Sequence, residues 1–105
     1  MRCCECKRNL ERVPYDKNYA LECPNHHCIV YLDDDNNVTE YNCSISYDNN
    51  IYLVFSYENR INISILKGKS YKKLLESNKY IKFNLINNII DLSPALKLLN
   101  LKAFL

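Results

Sequence analysis

The sequence predicts an α+β fold in which an N-terminal cysteine-rich segment leads into an antiparallel β-meander packed by a C-terminal helix. Between residues 39 and 66 apolar side chains recur at every second position, which is typical of strands with one buried face. Ser93 and Pro94 precede an apolar run to Leu105, as the N-cap and first residue of a helix would. Five of the six cysteines lie within the first 28 residues, in closely spaced pairs that are typical of metal sites.

The composition is that of an ordinary globular protein. Hydrophobic residues make up 48% and charged residues 25% of the 105 residues, which argues against a wholly disordered chain and against two full-sized domains. We expect one compact unit, with a metal-binding part at residues 1–32 and the sheet and helix at residues 33–105. The chain has one glycine and 15 asparagines, so we expect asparagine to occupy the left-handed positions of its turns.

The cellular setting is predicted from two features of the sequence. No apolar run reaches the roughly 18 residues of a membrane span, and the N-terminus lacks the apolar core of a secretory signal. We therefore expect a soluble, intracellular protein with no membrane contact. Disulfides are disfavoured in reducing compartments, so clustered thiols there indicate metal binding or thiol chemistry.

Four cysteines form two pairs with the spacing of a zinc site. Pairing Cys3 with Cys6 and Cys23 with Cys28 gives C-x2-C-x16-C-x4-C. Two thiolates that are two residues apart can bind one ion within a tight turn. A second pair then completes a tetrahedron at Zn–S distances of about 2.3 Å. Thiolates favour Zn²⁺ over Mg²⁺ or Ca²⁺, so the sequence predicts a structural zinc ion.

The fourth ligand is open at this point. His26 and His27 follow Cys23 by two and three intervening residues, and either imidazole can replace Cys28 to give a site of three cysteines and one histidine. Otherwise both histidines are expected to be solvent-facing loop residues.

The remaining two cysteines are expected to lie outside the site. Pairing Cys4 with Cys6 leaves one residue between the ligands, so we expect Cys4 to be an exposed bystander. Cys43 alternates with apolar residues and is expected in the core. A redox C-x-x-C motif normally follows a strand, for which the two residues before Cys3 leave no room. We expect no catalytic residues, no small-molecule substrate and no enzymatic activity.

The order of predicted elements around the cysteine pairs is that of a zinc ribbon. Asn9–Pro14 and Asn18–Cys23 are predicted strands joined by a turn, and Cys28–Leu32 is a third. The resemblance covers about the first 32 residues and rests on two segments, Cys3-Cys4-Glu5-Cys6 and Cys23-Pro24-Asn25-His26-His27-Cys28. It implies that the four paired cysteines are thiolate ligands. Lys7 departs from the pattern because a glycine is customary there, and the second pair has four intervening residues rather than the commoner two.

Three strands follow with alternating apolar residues, at Thr39–Tyr47, Ile51–Tyr57 and Arg60–Leu66. The side chains expected on their buried faces are Tyr41, Cys43, Ile45, Tyr47, Ile51, Leu53, Phe55, Tyr57, Ile61, Ile63 and Ile65. We expect turns at Asp48–Asn50 and Glu58–Asn59 and the end of the meander at Lys67–Ser70.

The last third is predicted to contain two helices. Tyr71–Ser77 is predicted as a short helix and Tyr80–Leu85 as an extended segment. The C-terminal helix is predicted to have Ser93 as its N-cap, to begin at Pro94 and to run toward Leu105. It is expected to cover the buried face of the sheet, because so apolar a helix must be covered. The alternative is that it contacts a partner or a second copy of the chain.

Charge is divided unevenly along the chain. Residues 28–58 contain six acidic residues and no lysine or arginine, whereas residues 59–105 contain nine basic residues and two acidic ones. Such asymmetry is a hint of interaction surfaces. A basic and aromatic segment can neutralise phosphates and stack bases, although a solvated lysine-rich loop explains it as well. The candidate nucleic-acid-binding residues are Lys67, Lys69, Tyr71, Lys72, Lys73, Lys79, Tyr80 and Lys82.

These features lead to a functional prediction of a non-enzymatic zinc-binding accessory protein that acts as a protein-interaction module. The chain resembles small proteins of phages and other viruses with AT-rich genomes in three features. These are the abundance of Asn, Ile, Lys and Tyr, which implies AT-rich codons, the cysteine pairs, and the apolar C-terminal run 98–105. The resemblance implies a location in the host cytoplasm and a place in a transcription, replication or host-takeover assembly. The alternative is nucleic-acid binding through the Lys67–Lys82 segment.

Overall fold

The computed structural model describes residues 1–57, 60–77 and 85–103, with the side chains of the C-terminal helix described as far as Leu99. The strands are β1 Glu11–Tyr15, β2 Asn18–Glu22, β3 Cys28–Leu32, β4 Val38–Tyr47, β5 Asn50–Tyr57, β6 Arg60–Lys67, β7 Ser70–Ser77, β8 Leu85–Ile86 and β9 Ile89–Ile90. One helix, α1, runs over Ser93–Ala103.

Strands β1 to β7 form one antiparallel sheet in which every strand pairs with its neighbour in sequence. The predicted antiparallel meander is therefore confirmed and is longer than expected, because the three N-terminal strands belong to the same sheet as the rest. Strands β8 and β9 form a separate hairpin, and Arg2 bridges to it at Ile89. The fold thus places the N-terminal cysteine segment between the sheet and this hairpin.

The core lies on one face of the sheet, beneath the hairpin and the helix. Ile61 and Ile63 of β6 are fully buried, as the alternation predicts. Leu92, Ala95 and Leu99 belong to the same buried cluster, so the helix covers the sheet face as expected. The buried sheet residues in this cluster are Cys28, Val30, Tyr41, Cys43, Ile45, Tyr52, Val54, Ile61 and Ile63.

Strand β5 buries the face opposite to the predicted one. Val54 is fully buried because it lies opposite Cys43 of β4, whereas Ile51 and Tyr57 are 42% and 47% exposed. Both faces of β5 are largely apolar, so alternation along the strand cannot decide which face is buried. The side chains buried from this strand are Tyr52, Val54 and Ser56. The face predicted to be buried, which instead lies on the outer side of the sheet, carries Ile51, Leu53, Phe55 and Tyr57.

The predicted helix over Tyr71–Ser77 is wrong, because Ser70–Ser77 is strand β7. Lys67–Ser70 does not end the meander but forms its last hairpin turn, where Gly68 has φ +62°, the positive value that the first position of a type II′ turn requires. An irregularity in the register sets Ile63 opposite Leu75 and Ser64 opposite Lys73, so Leu74 is the additional residue. The adjacent leucines that favour a helix are accommodated by this bulge.

Helix α1 begins one residue earlier than predicted. The backbone amide of Leu96 donates to the carbonyl of Leu92, so Ser93 is already helical. The carboxylate of Asp91 accepts from the backbone amide of Ser93 at 3.0 Å and from its hydroxyl. Asp91 therefore satisfies an amide at the helix start, the role that the sequence assigned to Ser93.

Asparagine and aspartate occupy most of the left-handed turn positions, as the shortage of glycine predicts. Positive φ angles occur at Asp16, Asn36, Asp48, Asn49, Asn87 and Asn88. The predicted turn at Glu58–Asn59 and the predicted extended segment Tyr80–Leu85, except Leu85 itself, lie outside the described residues. In the described part of the chain, no helix has the length and apolar character that are needed to cross a membrane.

Candidate metal centre

The first cysteine loop, residues 3–7, folds into a tight turn that directs sulfur atoms inward. The backbone amide of Glu5 donates to Sγ of Cys3 at 3.3 Å, and the amide of Lys7 donates to the carbonyl of Cys3 at 3.1 Å. Lys7 has φ +65° at the position where the sequence lacks the customary glycine. The Nζ atom of Lys7 donates to the carbonyl of Cys4 at 2.7 Å. The turn therefore forms without glycine, at the expense of a left-handed lysine.

The second cysteine loop, residues 23–28, is closed by two backbone hydrogen bonds. The amide of His26 donates to the carbonyl of Cys23 at 2.8 Å, and the amide of Cys23 donates to the carbonyl of Cys28 at 2.9 Å. His26 is left-handed at φ +60°, and after it the chain turns His27 toward the first loop. Cys28 is already the first residue of β3, so the strand fixes the direction of its side chain.

Four side chains from the two loops converge on one point. The Sγ atoms of Cys3, Cys6 and Cys23 and a ring nitrogen of His27 all lie within 4.8 Å of one another. Sγ of Cys6 lies 3.5 Å from Sγ of Cys23, and Nδ1 of His27 lies 3.8 Å from Sγ of Cys23 and 3.9 Å from Sγ of Cys3. The edge of a tetrahedron with Zn–S bonds of about 2.3 Å is about 3.8 Å. The four atoms are therefore spaced as ligands that can hold a single metal ion.

The structure brings together three of the four cysteines predicted as ligands, Cys3, Cys6 and Cys23, and places His27 at the fourth corner. Cys28 lies instead in a second group with Cys3 and Cys4. The other candidate, His26, points to solvent, where its Nδ1 lies 2.8 Å from Oε1 of Glu22. The spacing within the first group is thus C-x2-C-x16-C-x3-H.

Burial and hydrogen bonding act in opposite directions on the thiols. Burial raises the pKa of Cys3 to about 12, against the opposing effect of the amides of Cys6 and Glu5. The backbone amide of Arg8 lowers the pKa of the more exposed Cys6 to about 6. A buried thiolate needs a nearby positive charge to be stable. A metal ion at the centre of this group would supply that charge.

The Cys4 side chain is not the exposed bystander that the sequence predicts. It is half-buried and packs against the core, and hydrogen bonds from the thiols of Cys28 and Cys43 lower its pKa to about 5. Cys43 is 1% exposed, which confirms its predicted place in the core. It lies opposite Cys28 across β3 and β4. No local sequence pattern predicts that Cys43 and Cys28 lie opposite each other, because this depends on the register of two strands.

The described part of the candidate nucleic-acid-binding segment lies on the β6–β7 hairpin. Lys67, Lys69, Tyr71, Lys72 and Lys73 are all exposed. Successive residues of a strand point to opposite faces, so Tyr71 and Lys72 do not share a surface. Nζ of Lys73 lies 2.6 Å from Oε2 of Glu76, which holds the pKa of that carboxyl below its usual range. The other candidates, Lys79, Tyr80 and Lys82, lie outside the described residues.

Comparisons of the chain with known protein families, with curated proteins and with solved structures found no match.

Proposed function

We propose that this chain is a non-enzymatic accessory protein in which a zinc ion fixes a sheet that binds another protein. The zinc ligands in this proposal are the thiolates of Cys3, Cys6 and Cys23 and the Nδ1 atom of His27. Three thiolates and one imidazole are a common ligand set of structural zinc. Side chains fill all four corners, and a closed tetrahedron is typical of a structural rather than a catalytic ion.

The position of the centre supports a structural role. Its ligands come from the N-terminus and from the β2–β3 loop, so one ion would join the first residues of the chain to the sheet. The backbone amide of Ser46 in β4 donates to the carboxylate of Glu5 at 3.4 Å, a second link between the first loop and the sheet. The hairpin β1–β2 followed by β3 has the element order expected of a zinc ribbon, which supports this proposal, and these strands belong to the larger sheet.

The observation that carries the interaction proposal is the apolar outer face of β5. Its four outward side chains, Ile51, Leu53, Phe55 and Tyr57, are half-buried or exposed. We call these four residues the β5 stripe. The rings of Phe55 and Tyr57 stack with centroids 6.5 Å apart. An exposed apolar stripe at the centre of a sheet is a surface that a partner protein can cover.

Charge next to the stripe indicates the chemistry of the partner. Glu40 of β4 lies directly opposite Tyr57, and Asp48 belongs to the turn that joins β4 to β5. Residues 28–58, which include both, carry six acidic residues and no lysine or arginine. On the other side of β5, Arg60 of β6 lies opposite Tyr57. The partner in this proposal is therefore a protein surface with an apolar patch and with basic groups on the side that meets β4. The setting implied by the sequence is a viral transcription, replication or host-takeover assembly.

Two matched variants test this proposal. Ile51→Asp places a charge within the β5 stripe, and Ile86→Asp makes the same change at an exposed isoleucine of β8, 56% exposed and outside the stripe. The proposal is supported if the wild-type chain and Ile86→Asp both retain a protein from host extract, if added salt weakens this retention, and if Ile51→Asp does not retain the protein. Retention that is independent of Ile51 contradicts it. A dimer that Ile51→Asp dissociates in light scattering also contradicts it, and assigns the face to a second copy.

The second candidate function is nucleic-acid binding by the β6–β7 hairpin. The observation that favours it is the exposed ring of Tyr71, 42% exposed, on the same face of β7 as Lys73, with exposed lysines at 67, 69 and 72 elsewhere on the hairpin. Aromatic stacking combined with phosphate neutralisation is a general mode of single-strand binding.

A further inference from the structure

A second group of thiols lies directly against the first. Sγ atoms of Cys3, Cys4 and Cys28 all lie within 4.8 Å of one another, so Cys3 belongs to both groups. Cys28 is 6% and Cys3 is 0% exposed. The described chain therefore contains two thiol clusters that share one sulfur atom.

Cys43 lies next to the second group, on the neighbouring strand. It pairs directly with Cys28, and the amide of Ser44 donates to the carbonyl of His27 at 2.6 Å. This hydrogen-bond pattern makes Cys28 and Cys43 a non-hydrogen-bonded pair, the arrangement in which facing side chains approach most closely. The Cys43 thiol interacts with the thiols of both Cys28 and Cys4. The second group of three sulfur atoms thus has a fourth thiol, that of Cys43, beside it in the core.

We propose that Cys3, Cys4, Cys28 and Cys43 bind a second soft divalent ion, with the Cys3 thiolate bridging the two ions. This inference rests on the proposed zinc centre, because the bridging thiolate belongs to it. Each ion then has four protein ligands, and the pair uses every cysteine of the chain and His27. The second set contains sulfur alone, which favours zinc over harder divalent ions.

The charges of such a cluster can be balanced. In the bound state Cys4, Cys28 and Cys43 are thiolates, and binding of the second ion releases to solvent the protons of those thiols that are still protonated; Cys3 is already a thiolate in the first centre. Two divalent ions and six thiolates have a net charge of about −2, which a basic environment lowers in energy. Lys7 supplies a cation at this place through its contact with the carbonyl of Cys4, and Arg8 follows it in sequence.

A second metal ion accounts for this arrangement better than the packing of thiols in the core does. A single buried cysteine behaves as a small hydrophobic residue. Here the thiols of Cys4, Cys28 and Cys43 interact with one another. Aliphatic side chains of similar size would fill the same space, so packing alone gives no reason for three thiols at these positions. A second ion would connect the N-terminal loop to the two strands β3 and β4.

Native mass spectrometry of the full-length zinc-loaded chain tests the second ion. We expect about two zinc ions per chain in the wild type and about one in Cys43→Ala, which keeps every ligand of the first centre. Val54→Ala is the matched control, because Val54 is fully buried opposite Cys43 and its truncation disturbs the same core without removing a thiol. This control should keep both ions.

A second variant keeps the test valid if Cys43→Ala does not fold, as judged by circular dichroism. Cys4→Ser changes a half-buried loop residue and should also bind one ion. Titration with Co²⁺ should give thiolate-to-metal absorption that rises to the second equivalent in the wild type and saturates at the first in both variants. One zinc ion in the wild type would overturn the second ion and leave the first centre standing. Two ions in both variants would also overturn it, and no ion in the folded wild type would overturn both centres.

Discussion

Nδ1 of His27 lies 3.8 Å from Sγ of Cys23, four residues earlier in the chain, because the loop between them passes through the left-handed backbone of His26. Replacing His27 with alanine should therefore weaken the binding of one zinc ion by at least about tenfold, since a ligand is lost. His26→Asn is the matched control and should leave the affinity unchanged, because His26 faces Glu22 and solvent and asparagine tolerates the left-handed backbone. Competition with a chromophoric chelator measures both affinities.

The same geometry separates His27 from Cys28 as the fourth ligand of the first centre. Cys28→Ser should keep the ion that Cys3, Cys6, Cys23 and His27 hold, whereas Cys23→Ser should lose it. Zinc content by elemental analysis, with folding followed by circular dichroism, is the measurement. An unchanged metal content and melting temperature in Cys23→Ser would show that the assigned ligand set is wrong.

Lys7 gives a prediction about backbone strain. Its φ of +65° is favourable for glycine and unfavourable for a residue with a side chain, so zinc-loaded Lys7→Gly should be more stable than Lys7→Ala by about 0.5–1 kcal/mol. Both variants lack the ammonium group that contacts the carbonyl of Cys4, so the comparison isolates the backbone effect. Arg8, the next residue, is not left-handed and provides the control: Arg8→Gly should be less stable than Arg8→Ala by a similar amount. Urea unfolding at fixed zinc concentration measures both. If glycine is less stable than alanine at position 7, as it is expected to be at position 8, the assignment of strain to Lys7 is refuted.

Asp91 gives a prediction about the helix that covers the core. Its carboxylate accepts from the amide of Ser93, so Asp91→Ala should destabilise the protein by about 1 kcal/mol. Asp91→Asn retains a side-chain oxygen and should lose much less. Equal losses in the two variants, measured by thermal unfolding, would mean that the hydrogen bond at the helix start contributes little.

The nucleic-acid candidate makes a prediction that separates two lysines of one hairpin. Lys69 lies in the turn and is exposed, whereas Lys73 is already paired with Glu76. Lys69→Glu should therefore weaken single-stranded oligonucleotide binding more than Lys73→Glu, and Glu76→Gln should strengthen it. Fluorescence anisotropy over a series of salt concentrations is the measurement. Binding that is absent or independent of salt would eliminate this function.

Much of the sheet could be predicted because local patterns determine it. Ile61 and Ile63 alternate with polar residues, so the sequence identifies both the strand and its buried face. In β5 both faces are apolar, and only the pairing of Val54 with Cys43 decides which is buried. The helix prediction over Tyr71–Ser77 was wrong because pairing with β6 overrides the helical preference of two adjacent leucines.

The candidate site was harder to predict than the sheet, because its composition depends on single backbone angles and on long-range register. Spacing alone points to Cys3, Cys6 and Cys23, which the structure brings together. It does not distinguish His27 from Cys28, since that choice depends on the left-handed conformation of His26. The approach of Cys43 to Cys28 depends on the pairing of β3 with β4.

Zinc removal tests most directly whether a metal ion stabilises this fold. The ligands proposed for that ion are Cys3, Cys6, Cys23 and His27. The measurement is the thermal unfolding of the full chain before and after removal of zinc by a chelator under reducing conditions, with zinc content determined in the same samples. We expect at least one zinc ion per chain and a large, zinc-reversible fall in melting temperature on chelation. A folded chain that contains no zinc and melts at the same temperature with and without chelator would contradict this expectation.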